Sequence, residues 1–164
     1  MGVYIPDIKT LIPQGPPFIM VDRLLETDTT VTRTSFRVTA DNPLLANGRL
    51  GAAGLIENMA QTVAAGAGFA AFAAGGAVHD GAVHDGAEHD GAEHDGAEPS
   101  SAGPSGAIVA INNFGIIRLP ALGEELITEV TVTARVADII VISGRITCGQ
   151  SVVATGEMKI LTGL

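Results

Sequence analysis

GLIENMAQTVAAGAGFAAFAA, about Gly54–Ala74, is a stretch apolar on nearly every side that carries one charge, Glu57. Its length and freedom from proline predict a helix, and its apolar character on almost every side predicts a buried one. Gly66 and Gly68 lower its intrinsic stability by about 1 kcal/mol each relative to alanine. In return, small residues permit close approach of a sheet or leave space beside the helix.

The segments on either side read as strands. Asp7 is a candidate N-cap for a short turn over Ile8–Leu11, stopped by Pro13, and Gln14-Gly15-Pro16-Pro17 forces an extended or turning backbone. Phe18–Thr27 and Thr30–Thr39 flank Asp28-Thr29 and predict a hairpin. Ala40 to about Ala53 is a loop with turn signals at Asn42-Pro43 and Asn47-Gly48. Beyond the helix, Ala107–Leu119 leads into a turn at Pro120-Ala121-Leu122-Gly123. In Glu125–Val136 the residues Val130, Val132, Ala134 and Val136 alternate with Thr131, Thr133 and Arg135, the pattern of a half-buried strand. Ile139–Cys148 and Val152–Leu161 complete the set, joined by Gly149-Gln150-Ser151. Short links imply antiparallel pairing. The expected class is α+β, an antiparallel sheet wrapped around one long central helix, in a single domain over residues 1–164. Sheet edges and a small core favour a dimer.

The net charge of −9 is local in origin: seven of the eighteen acids lie between residues 80 and 98, leaving eleven acids against nine bases elsewhere. A nearly neutral domain argues against nucleic acid as a partner. One cysteine, Cys148, excludes an intrachain disulfide and fits a reducing compartment. No secretory signal opens the sequence, and Thr62–Val78 is too short and too rich in Ala and Gly to span a membrane, so a cytoplasmic location is expected.

Residues 77–98 read AVHDG AVHDG AEHDG AEHDG AE and hold all four histidines, His79, His84, His89 and His94. A five-residue period fits neither helix nor strand, so residues 76–106 are expected to form a low-complexity loop between the helix and the next strand. Histidine beside aspartate suits zinc or nickel, but a glycine-rich repeat lacks the second shell that fixes ligands, and no metal site is assigned.

Glu57 has two readings. Near the helix start it is favoured by the helix dipole, and with Gly54 as N-cap it occupies the capping-box position, although glycine cannot complete the box. Alternatively it is chemical. Gln61 lies one turn later on the same face, Gly54 offers a backbone amide to a carbonyl oxygen, and Ala64 and Gly68 continue the face with small side chains. An acid, an amide, an oxyanion donor and a narrow apolar groove suit an acyl thioester.

LIPQGPPFIMVDRLLE, Leu11–Glu26, resembles the N-terminal signature of bacterial 3-hydroxyacyl-[acyl-carrier-protein] dehydratases, and Gly54–Gln61 resembles the start of their central helix. NPLLANGRLGAAGLIENMAQ, residues 42–61, is closer still to the dehydratase-like proteins of aryl-polyene clusters, and order and spacing agree over roughly residues 6–75. The resemblance implies a hot-dog fold, fatty-acyl or polyenoyl thioesters on acyl carrier protein as substrates, and no cofactor. It also implies a site shared by two chains, in which a loop histidine of one takes the C2 proton while the helix glutamate of the other serves the 3-hydroxyl. Here Glu57 is the catalytic match, with Gly54 and Gln61 as substrate-binding candidates.

Between Asp41 and Gly54, where that histidine belongs, stand Asn42, Asn47, Gly48 and Arg49. None of these takes a proton at neutral pH. The chain is therefore expected to lend Glu57 to a histidine-bearing hot-dog homologue, or to bind acyl carrier protein without chemistry. A third option is an acyl thioesterase whose carboxylate activates water. Arg49 and Arg118 are candidates for phosphopantetheine or an acidic carrier, against an ordinary surface role. Asp22-Arg23 reads as a structural pair, and Cys148 as a small buried hydrophobe. Calorimetric titration with zinc is expected to give equal heats for the full chain and for a version lacking residues 77–98.

Overall fold

The computed structural model describes residues 5–76 and 106–162. The expected loop over 76–106, with its histidine repeat, lies almost wholly outside the described residues. A single 3₁₀ turn, Ile8–Thr10, opens the fold, and Asp7 caps it by accepting from the Lys9 amide at 2.9 Å. The elements that follow are β1 (Arg23–Thr27), β2 (Val31–Arg37), β3 (Leu45–Ala46), β4 (Arg49–Leu50) and α1 (Ala52–Gly76), then β5 (Gly106–Ile116), β6 (Glu125–Val136), β7 (Ile139–Cys148) and β8 (Ser151–Thr162). Six strands form one antiparallel sheet in the order β1-β2-β6-β7-β8-β5, and α1 packs across it.

The β1–β2 hairpin turns where expected. Asp28 Oδ1 accepts from the amides of Thr30 and Val31 at 2.6 and 2.8 Å, which holds its carboxyl below the usual range. Strand pairing starts only at Arg23, however, because the expected strand residues Phe18–Met20 spend their backbone groups on side chains of α1. Inside the loop before α1, Asn47 and Gly48 adopt φ of 52° and 70° and close the two-residue β3–β4 hairpin. That hairpin delivers the chain to α1 through Gly51, whose amide donates to the Leu44 carbonyl at 3.0 Å.

Leu55 and Met59 of α1 are fully buried against Leu126 and Val130 of β6, Ile142 of β7 and Met158 of β8. The alternation expected in β6 holds only as far as Val132. A bulge between Val132 and Ala134 in the pairing with β7 inserts one extra residue. Beyond it the faces exchange: Arg135 stands opposite Ile140 on the helix side, and Val136 turns outward, 66% exposed.

Two of the close approaches that glycine permits join α1 to its neighbours. A Cβ on Gly68 would collide with the Leu11 carbonyl, and one on Gly144 of β7 would collide with the Met59 side chain. Gly75 faces open space. Gly68→Ala is expected to destabilise the fold by about 1–3 kcal/mol, since backbone at Leu11 cannot yield as a side chain can. Gly75→Ala is expected to be neutral or to stabilise by up to about 1 kcal/mol. Urea unfolding midpoints measure both.

Candidate functional site

The helix begins at Ala52, two residues before the expected start, and this changes the roles of Gly54 and Glu57. Gly54 is buried against the Leu50 side chain, and its N–H donates to the Gly51 carbonyl at 3.0 Å. Its amide is thus occupied, and Gly54 is not positioned as an oxyanion donor. The first-turn amides without an intrahelical acceptor are those of Ala52 and Ala53, both exposed residues. The first turn contains no acid, so Glu57 sits in the second turn and is not an N-terminal cap.

Glu57 is half-buried, and its Oε1 accepts from Gln61 Nε2 at 2.8 Å. Gln61 is fully buried. Its Oε1 accepts from the Met20 amide at 2.7 Å, and its Nε2 donates also to the Phe18 carbonyl at 2.7 Å. Every polar position that Gln61 uses is therefore internal, and its geometry is that of a clamp, not of a substrate contact. Asn58 completes the attachment: its Nδ2 donates to the Met20 carbonyl at 2.6 Å, while its Oδ1 accepts from Thr128 of β6. Thr62 donates to the Asn58 carbonyl at 2.8 Å and shares a hydrogen bond of 2.7 Å with Thr34 of β2. Sequence reasoning missed Asn58 and Thr62. The available signal was their spacing with Gln61, three polar residues within one turn on one flank of an apolar helix.

The face expected to form a groove divides. Gly68 packs on Leu11 and leaves no room, whereas Ala64 lines a cavity of about 610 Å³ between α1 and the sheet. Ala60, Val63 and Ala67 contribute from the helix and Val130, Ile140 and Ile160 from the sheet, with Asp28, Thr30 and Arg135 among its polar lining. Glu57 is not part of this lining. It stands one turn before Ala60, the lining residue nearest to it along the helix.

The two arginine candidates bind their own chain. Arg118 grips Glu124 with two hydrogen bonds of 2.7 and 2.8 Å, and Arg49 Nη1 donates to the Leu119 carbonyl at 2.9 Å. The Asp22-Arg23 pair separates: Asp22 accepts from the Arg37 amide at 2.7 Å, and Arg23 lies 3.5 Å from Glu125. Both are structural ties, though to other partners than each other. Cys148 is buried, which pushes its thiol up. Among the described residues no group of three or more His, Cys, Asp or Glu side chains is placed to hold a metal, and no helix is long and apolar enough to cross a membrane.

Residues 6–84 match the family model of the ApeP-like dehydratases. No curated protein matches the sequence. Among solved structures, the dehydratase heterocomplex ApeI:P from Xenorhabdus doucetiae aligns with a TM-score of 0.75 at 16% identity, over 98% of this chain and 93% of that one. The PaaI protein from the phenylacetic acid degradation operon of Escherichia coli aligns at 0.55 and 14% identity, over 84% and 80%. A hypothetical thioesterase of Streptococcus pneumoniae TIGR4, solved with coenzyme A, aligns at 0.56 and 10% identity, over 86% and 84%. At these identities the structural likeness establishes the fold, and the fold is the hot-dog.

The Arg118–Glu124 pair generates a pH prediction. Hydrogen bonds from Arg118, then from the Ala121 amide, lower the Glu124 carboxyl from 4.5 to about 2. A carboxyl depressed by folding stabilises fully above its unfolded value and loses that contribution as pH falls through the folded value. Glu124→Gln is therefore expected to reduce the loss of stability between pH 4.5 and 2, read as urea midpoints across that range.

Proposed function

We propose that this hot-dog chain, whose residues 6–84 match the ApeP-like dehydratase model, supplies Glu57 to a 3-hydroxyacyl-carrier-protein dehydratase site completed by a histidine-bearing hot-dog partner. The observation that carries this reading is Glu57 itself: a half-buried carboxylate held at one oxygen, beside an open helix start, with no histidine among the described residues. The substrate is a fatty-acyl or polyenoyl thioester on acyl carrier protein. Support for an apolar acyl group comes from the cavity that begins one helical turn beyond Glu57.

Dehydration needs a base at C2 and an acid at C3. The partner's histidine takes the C2 proton, and Glu57 donates to the 3-hydroxyl, which leaves as water. Ala53 lies four residues before Glu57 on the same face, about 6 Å along the axis. Its amide, with that of Ala52, is in range of a thioester carbonyl two bonds from the hydroxyl-bearing carbon.

A second chain also suits the sheet. β5 is an edge strand, and Val109, Ile111 and Ile117 in and after it are 51%, 40% and 72% exposed. A long apolar edge is a surface that pairing with another chain covers. The ApeI:P structure is itself a heterocomplex, which favours a homologue over a second copy as the occupant. A cytoplasmic setting agrees with the free thiol of Cys148.

The likeness to a thioesterase gives the second reading, in which Glu57 activates water for thioester hydrolysis. Glu57→Gln keeps an oxygen to accept from Gln61 but cannot transfer a proton. In complex with the partner it is expected to lower dehydration by about 100-fold or more, with an unchanged urea midpoint. Unchanged turnover would remove Glu57 from the chemistry and leave a binding or stabilising subunit. Release of free acid in place of the enoyl product would favour the thioesterase.

A further inference from the structure

Gln61 does more than anchor the N-terminal segment: we infer that it is the positioning residue of Glu57, pinning Oε1 as an acceptor so that Oε2 alone handles the proton. This rests on the dehydration reading above. The orientation of the Gln61 amide is fixed by its neighbours. The Met20 N–H, which can only donate, meets Gln61 Oε1 at 2.7 Å, and the Phe18 carbonyl, which can only accept, meets Nε2 at 2.7 Å. A flipped amide would set donor against donor and acceptor against acceptor. The second N–H of Nε2 therefore points at Glu57 Oε1, 2.8 Å away.

An oxygen that already accepts this hydrogen bond is the wrong place for a proton. When Glu57 is protonated, the proton resides on Oε2. In the reaction the Oε2–H bond breaks and an O–H bond forms on the 3-hydroxyl oxygen as its bond to C3 breaks. The C2–H electrons become the C2=C3 bond, and the C2 proton passes to the partner's base. Glu57 is left as a carboxylate, which the Gln61 N–H stabilises where it already stands. The proton returns from the base through solvent to restore the starting state. Because the Met20 carbonyl is held by Asn58 and the Phe18 amide by the Gly15 carbonyl, the segment that orients Gln61 is itself fixed.

Gln61→Met preserves length and volume and removes both donors. In the full chain with its histidine-bearing partner, kcat is expected to fall about 10- to 100-fold with KM changed less than about threefold. A purely structural role would lower the urea midpoint and leave kcat per folded molecule unchanged, which would overturn the inference. Side-chain amide NMR of the full chain covers the case in which that variant fails to fold. On Glu57→Ala, one Gln61 amide proton is expected to lose its hydrogen-bonded shift while the other, on the Phe18 carbonyl, keeps it. No change at either proton would also overturn the pinning. Full turnover by Glu57→Gln alongside an intact NMR signature would instead defeat the dehydration reading and leave the pinning standing.

Discussion

A glutamine buried completely in an apolar helix must have its amide oxygen and both N–H groups satisfied, because each unpaired group costs about 1–3 kcal/mol. Gln61 meets that demand with the Met20 amide, the Phe18 carbonyl and Glu57. The consequence is a mutual constraint. The N-terminal segment cannot slide along α1, and α1 cannot rotate, without orphaning buried polar groups. Asn58, Thr62, Thr34 and Thr128 extend the same constraint to β2 and β6. Glu57 is therefore placed by the interaction that assembles the domain, and its position is as firm as the fold itself.

The small residues of α1 serve two purposes. Gly68 lets the backbone at Leu11 touch the helix, and Gly66 does the same for the Thr32 side chain. Ala60, Ala64 and Ala67 border the cavity and leave volume unfilled. The sequence reading offered close approach and empty space as alternatives, and both occur within one turn of each other, at Gly68 and Ala64. Composition cannot tell them apart, because the distinction depends on which neighbour lies opposite each residue.

Much of the fold was readable from pattern. The strands β6, β7 and β8 fall within about one residue of their expected bounds, because β-branched alternation and short turns are local signals. The helix start was not readable. Gly51-Ala52-Ala53-Gly54 contains no capping side chain, and the boundary is set by the β3–β4 hairpin that feeds it. The exchange of faces at Arg135 and the loss of strand character at Phe18–Met20 were hidden for a similar reason: both depend on pairing with distant chain. At the site, Glu57 stood out as the lone charge on the helix. Gln61 stood out too, but its role was misread, since its partners are backbone groups about forty residues earlier. Gly54 was misjudged together with the helix start.

In the proposed reading, what sets this chain apart from a self-sufficient dehydratase is a carboxylate, Glu57, with no histidine among the described residues to match it. The measurement that tests this most directly is dehydration of a 3-hydroxyacyl carrier protein by the purified chain, alone and titrated with a histidine-bearing hot-dog homologue. No turnover alone and a maximum at equal amounts of the two proteins are expected. Full turnover by the chain alone would contradict a site divided between two chains.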